Sequence, residues 1–155
     1  MFKRILVPLD GSRTSEHGLA QALRLARSQR AALYLLHVLD EHMLIRHAEG
    51  SAVAAATQEF LQALRAGGKQ ILERARSKAA KAGLKSKTIL VDNLMGSIAE
   101  VVVTQARKAG ADLIVMGTHG RRGITRLVMG SAAEGVVRSA PVPVLLVRGA
   151  PRARR

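Results

Sequence analysis

Apolar residues along this chain fall into short uninterrupted runs that alternate with longer segments of helical period. Five runs predict β-strands, over 2–9, 31–39, 87–91, 112–116 and 141–147. Four intervening segments repeat their apolar residues every three or four positions and predict helices, over 12–30, 51–82, 97–109 and 131–138. This alternation of strand and helix predicts a doubly wound parallel α/β sheet with helices on both faces.

Capping residues indicate where the helices begin and end. Ser12 or Thr14 is placed to cap the first helix. Ser97-Ile-Ala-Glu100 matches a capping box, and Ser131-Ala-Ala-Glu134 matches a second. Gly67-Gly68 lies inside the long second helix, where each glycine costs about 1 kcal/mol relative to alanine, and this pair predicts a kink or break.

Length and composition favour one aliphatic domain. The chain has 155 residues, only 2% aromatic residues and no cysteine, so disulfides and thiolate metal sites are excluded. The apolar run near the N-terminus is too short for a secretory signal, and no stretch approaches the roughly 18 apolar residues of a membrane span. We therefore expect a cytoplasmic protein.

The net charge of +14, from 25 Lys and Arg against 11 Asp and Glu, favours polyanionic ligands without choosing among them. Nucleic acid is possible but disfavoured, because aromatic residues for base stacking are nearly absent and no nucleic-acid-reading motif is visible. An arginine-rich, solvated surface is the alternative. His37, His42 and His47 are spaced by five, which places no pair on one helix face, so no metal site is predicted and we expect loop and strand-end histidines.

A glycine-rich stretch follows the fourth predicted strand. Gly117-Thr-His-Gly120 comes directly after the strand, and Gly130-Ser131 opens the last helix. Free N–H groups and the positive end of a helix dipole make such a helix start suitable for phosphate. It is neither a P-loop nor a Gly-x-Gly-x-x-Gly fingerprint. Two alternatives stay open, since glycines also serve tight turns and Ser131 also fits a helix cap.

The motif Gly117-x2-Gly120-x9-Gly130-Ser131 resembles the signature of the universal stress protein family, and the opening Ile5-Leu-Val-Pro-Leu-Asp-Gly-Ser12 is similar to that family's first strand and turn. The resemblance covers residues 1–148 and leaves 149–155 as a basic tail that we expect to be flexible. It implies an adenine-nucleotide alpha-hydrolase-like fold with strand order 3-2-1-4-5. It also implies a homodimer through the last strand, Val142–Val147, and membership of the ATP-binding branch.

The resemblance implies nucleotide contacts residue by residue. Pro8, Leu9 and Asp10 would line the adenosine, and the Val38 backbone would bond the adenine edge. Met116 and Gly117 would lie under the ribose. The phosphates would be held by Gly120, Gly130, Ser131 and Ala132. His119 would either touch a phosphate or be a solvent-facing turn residue. Arg121, Arg122 and Arg126 would either pair with the triphosphate or be ordinary loop arginines of a basic protein. Mg²⁺ or Mn²⁺ would arrive on the phosphates, with no metal site of the protein itself.

The function that the sequence favours is an ATP-binding, dimeric stress-response regulator with an unidentified protein partner. No catalytic residue is assigned, since no general base or P-loop lysine is visible, and any ATP hydrolysis should be slow. One alternative is a polyanion- or nucleic-acid-binding stress protein of the same fold that does not need ATP. Another is an enzyme on an adenylating α/β scaffold, for which the short chain has little room.

Overall fold

The computed structural model describes residues 1–40, 51–93, 96–118 and 129–149, with only the backbone described at 40 and 51–57. Its five strands are β1 Arg4–Pro8, β2 Ala32–Asp40, β3 Ser86–Asn93, β4 Leu113–Gly117 and β5 Val144–Val147. Within these ranges the helices are α1 Arg13–Gln29, α2 Ser51–Lys81, α3 Ile98–Ala109 and α4 Ser131–Ser139. All strands pair in parallel in the order β3-β2-β1-β4-β5, which confirms the predicted fold class.

Alternate residues of the central strands enter two aliphatic cores, one on each face of the sheet. Ile5 and Val7 of β1 are fully buried against α1 and α2, whereas Leu6 between them is buried against α3 and α4. Burial on both faces explains why the strands are continuous apolar runs rather than alternating ones.

Two of the three predicted helix N-caps are confirmed by the structure. Ser12 caps α1 by accepting the N–H of Ser15, and Ser97 and Glu100 form the complete capping box of α3. The second predicted capping box, at Ser131, is wrong. Gly130 is the N-cap of α4, in extended conformation (φ −65°, ψ 146°), and Ser131 is already helical.

The reason for this shift is a bond from outside the helix. The N–H of Gly130 donates to Thr118 O (2.9 Å), while the N–H of Glu134 donates to Gly130 O (2.9 Å). Glu134 therefore sits one position beyond the place where a capping box needs it. Its carboxylate pairs instead with Arg138 one turn later (2.9 Å).

Of the kink or break predicted at Gly67-Gly68, the break is wrong, because α2 continues through both glycines. A Cβ on Gly68 would lie 2.6 Å from Cδ2 of His37 and 3.1 Å from Cδ2 of Leu39, so the glycine lets α2 approach β2 closely. His37 is itself a buried residue near the end of β2, and its Nδ1 donates to Leu9 O (2.6 Å). Gly68 thus serves packing between helix and sheet.

Substituting the two glycines by alanine should change stability in opposite directions. Gly68→Ala should destabilise the protein by about 1–3 kcal/mol, because His37 must move away from the added methyl group. Gly67→Ala should stabilise it by about 0.5–1 kcal/mol, because no atom lies within 4 Å of the added Cβ. Urea unfolding monitored by circular dichroism measures both, and equal effects would contradict the packing role of Gly68.

Candidate functional site

The carboxyl ends of β1 and β4 lie side by side at the centre of the sheet. β1 pairs with β2 on one side and with β4 on the other. The chain first moves outward from β1 through β2 to β3, and then crosses to β4 and β5. This reversal between β1 and β4 is the switch point at which ligands bind in open α/β sheets.

Backbone and side-chain hydrogen bonds hold the turn that leaves β1. Leu9 is buried, its N–H donates to Leu36 O (2.8 Å), and its carbonyl accepts from His37. Asp10 is half-buried, and its Oδ1 accepts the N–H of Ser12 (2.9 Å). Together with half-buried Pro8, these residues place one carboxylate at the edge of the crevice.

Val38 extends beyond the end of β1. The last pair between β1 and β2 is Pro8 with Leu36, whose carbonyl points toward β1. Backbone polar groups two residues apart in a strand point to the same side, so the N–H and C=O of Val38 also point toward β1. Since β1 has already ended there, these groups face the crevice above the switch point, while β3 pairs with β2 on the opposite side.

The end of β4 lies tightly under the start of α1. Met116 is buried, and a Cβ on Gly117 would lie 2.8 Å from Cγ2 and 3.0 Å from the backbone carbon of Thr14. Gly117 is therefore required for contact between helix and strand, whether or not a ligand binds.

Thr118 is a structural residue of the site that sequence reasoning missed. Its N–H donates to Val147 O of β5 (3.0 Å), and its carbonyl accepts the N–H of Gly130 (2.9 Å). Thr118 is buried and fixes α4 next to the end of β4. Thr118 could have been noticed because it lies within the glycine motif. Its bond to Gly130, twelve residues later, is made by the backbone and therefore cannot be inferred from the identity of the side chain.

The N-terminus of α4 carries no side-chain cap in the part of the chain that the structure describes. Gly130 offers no side chain, Ser131 is exposed and Ala132 is half-buried. The N–H groups of the first helical turn have no acceptor within the helix, and the dipole adds partial positive charge there. Ser131 is thus available to a ligand, which removes the alternative that its hydroxyl caps the helix.

Several predicted contacts lie outside the described residues, namely His119, Gly120, Arg121, Arg122 and Arg126, and so do His42, His47 and the tail from residue 150. The other predicted site residues all lie at the carboxyl edge of the sheet or at the start of α4. Among the side chains that the structure describes, no three His, Cys, Asp or Glu residues come together as metal ligands.

Comparison with known proteins agrees with this architecture. The model of the universal stress protein family matches residues 1–148. The universal stress protein YxiE of Bacillus subtilis is 33% identical over 152 residues, covering 96% of this chain and all of the relative. A universal stress protein of Methanocaldococcus jannaschii, MJ0577, superposes with a TM-score of 0.81 at 29% identity, covering 100% of this chain and 99% of the other.

A more distant structure, the universal stress protein of Archaeoglobus fulgidus in complex with dAMP, has the same fold, with a TM-score of 0.64 at 23% identity. It covers 94% of this chain and 97% of that one. The matched family model spans all five strands and all four helices described above. The chain belongs to the universal stress protein family.

Proposed function

We propose that this protein binds ATP at the crevice above β1 and β4 and acts as a nucleotide-dependent regulator in a stress response. The observation that carries the proposal is the uncapped start of α4, where Gly130 leaves space and exposed Ser131 begins the helix. A triphosphate is the kind of ligand that satisfies free first-turn N–H groups.

The adenosine end would lie over β1 and β2. The outward-facing N–H and C=O of Val38 match the donor and acceptor pattern of an adenine edge, and Pro8, Leu9 and Asp10 line the same side. Met116 and Gly117 would lie below the ribose. The Archaeoglobus fulgidus relative, solved with dAMP, supports an adenine nucleotide on this fold.

The phosphates would be held by the first turn of α4. The N–H groups of Ser131 and Ala132 and the Ser131 hydroxyl are the donors, with His119 and Gly120 completing the cradle. Gly130 would contribute differently from our sequence-based expectation, because its N–H already donates to Thr118. Its contribution is the absence of a side chain. Mg²⁺ or Mn²⁺ would bind to the phosphates rather than to a protein cluster.

We assign no catalytic residue, and any hydrolysis would be slow. Asp10 is the carboxylate at the crevice, and one of its oxygens already accepts the Ser12 N–H. A site that holds phosphates mainly by backbone N–H groups fits binding better than turnover. Occupancy would then change which protein partner is bound.

A homodimer through the last strand completes the proposal. β5 pairs only with β4 in the described sheet, so its other edge is open. Leu145 of β5 is 38% exposed and Val137 of α4 is 47% exposed, so that this edge offers aliphatic surface to a partner. Two copies related by a two-fold axis would cover both.

We also propose a cytoplasmic location. In the described ranges, no helix has the length and apolarity to cross a bilayer.

Uneven charge favours polyanion binding as a second candidate function. The helices on one face, α1 and α2, carry nine basic and three acidic residues, whereas α3 and α4 carry three basic and two acidic ones. Such a face attracts phosphodiester backbones regardless of sequence and independently of ATP.

Mg-ATP should raise the melting temperature of the wild type, since a ligand at 100 times its Kd adds about 2.7 kcal/mol. Ser131→Ala should bind ATP about tenfold more weakly, because a hydrogen bond to a charged group is lost, and should leave the ligand-free stability unchanged. Gly130→Val should abolish the shift, because its φ and ψ suit valine but the side chain would fill the phosphate site. Differential scanning fluorimetry with titration calorimetry measures all three.

Ser97→Ala is the matched control for this experiment. Ser97 does cap its helix, so this variant should lose about 1 kcal/mol of stability without ligand and keep full ATP affinity. Absence of any ATP shift in the wild type would refute nucleotide binding, and an undiminished shift in Gly130→Val would place the nucleotide elsewhere.

Leu145→Glu should convert the dimer into a monomer, because two carboxylates would meet across the two-fold axis of the β5 edge. Sedimentation equilibrium reads the change in mass. Phe60→Glu on α2, where the ring is 46% exposed, is the control and should leave the dimer intact. A monomeric wild type, or a dimer that survives Leu145→Glu, contradicts the β5 interface.

Charge reversal on α1 should weaken heparin binding more than the same reversal on α3. Arg24→Glu with Arg27→Glu should elute from heparin at clearly lower salt, whereas Arg107→Glu with Lys108→Glu should elute close to the wild type. Both pairs change the net charge equally, so equal elution would show that total charge, rather than one face, governs the interaction.

A further inference from the structure

A cavity of about 660 Å³, widely open to solvent, lies between the turn after β1 and the helix α2. Gly11, Ser12 and Arg13 form one wall, and Gly67, Gln70 and Arg74 are among the residues of the other. The volume falls within the roughly 300–1,000 Å³ of small-molecule sites. Of the residues assigned to the nucleotide, only Asp10 is among the described residues that line this cavity.

Gly67 has no internal reason to be glycine. Its neighbour Gly68 is required by His37, but a Cβ on Gly67 would meet no atom within 4 Å. A glycine inside a helix costs about 1 kcal/mol relative to alanine. Gly67 lines the cavity, so its missing side chain leaves the helix backbone accessible from the cavity.

Two arginines and the Asp10 carboxylate line the cavity, so that its described charged side chains leave one net positive charge. Arg13 and Arg74 are both exposed, and neither forms an ion pair with a described residue. The nearby acid Glu16 is already paired with Lys78, which joins α1 to α2 beside the cavity. The Nε of Arg74 donates to Gln70 O (3.3 Å), so that its guanidinium is held along α2 with its terminal nitrogens still available.

We propose that this cavity binds a small hydroxylated organic phosphate, separately from the nucleotide cradle at α4. Guanidinium groups bind phosphate oxygens in a fork geometry, and Arg13 and Arg74 supply one from each wall. The Asp10 carboxylate at the margin keeps one oxygen beyond its bond to Ser12 and accepts a ligand hydroxyl. The backbone of Gly67 lets the carbon skeleton lie against α2.

Amide NMR of the full chain, titrated with ribose 5-phosphate as the probe, tests the site directly. Shifts should concentrate on Gly11–Thr14, Gly67 and Gln70. The amides of Ser131 and Ala132, which report the proposed nucleotide site, should not move at the same ligand concentration. Shifts confined to Ser131 and Ala132, or no saturable shifts up to millimolar ligand, would overturn the proposal and leave the ATP proposal untouched.

Variants then separate the cavity from general charge attraction. Arg13→Gln with Arg74→Gln should weaken ribose 5-phosphate binding at least tenfold, whereas Arg24→Gln with Arg27→Gln, which removes the same charge elsewhere on α1, should not. Gly67→Leu should block the cavity, and Ala66→Leu, which adds the same side chain one position earlier on an exposed site of α2, should bind normally. Equal affinities across each matched pair would mean that the cavity is not the binding site.

Discussion

The backbone of Thr118 determines where α4 lies relative to the sheet. Its N–H is bonded to β5 and its carbonyl to the residue that precedes α4, so one residue at the end of β4 connects three elements. The orientation of the α4 N-terminus over the switch point, and hence the placement of its free N–H groups, depends on these two bonds. Burial of Thr118 protects both from competition with water.

The fold was predictable because its signals are local. Five apolar runs separated by helical segments specify a parallel sheet with two covered faces, and Ser12 and Ser97 cap helices through residues three positions away. Ser131 carries the same local pattern as Ser97. Ser97 precedes the first residue of its helix, whereas Ser131 is itself the first helical residue, because Thr118 holds Gly130 in the capping position. A bond across twelve residues decided between two arrangements that the local sequence does not distinguish.

The glycine pair in α2 shows the same limit. Gly67 and Gly68 are equivalent as neighbours in sequence, yet one contacts β2 and the other lines a cavity. Helix propensity counts both as defects, whereas packing requires one and tolerates any small residue at the other. Val38 is a related case, since its open backbone follows from the fact that β1 ends two residues earlier in the register, where Pro8 pairs with Leu36. Backbone groups that are open to a ligand can therefore be identified only once the register of the strands is known.

The proposed site is built largely from main-chain groups, and this affects how substitutions act on it. A side-chain change at Ala132 would leave the N–H donor in place, whereas a change that moves Thr118 would displace several donors together. Gly117 packs against Thr14 in addition to the place beneath the ribose that we propose for it. Stability and binding are therefore coupled at this edge of the sheet more closely than the number of ligand contacts suggests.

The shortness of α4 has a thermodynamic consequence. Only nine residues, roughly 13 Å of helix, separate its N-terminal end, the proposed phosphate site, from the segment that leads into β5. Thr118 also bonds directly to Val147 of that strand. A ligand would order the start of α4, and a second subunit would pair with β5. Both would therefore act on the same connected elements, namely α4, Thr118 and β5. If nucleotide binding raises the affinity between subunits by some factor, linkage then requires that dimerisation raises the affinity for nucleotide by the same factor.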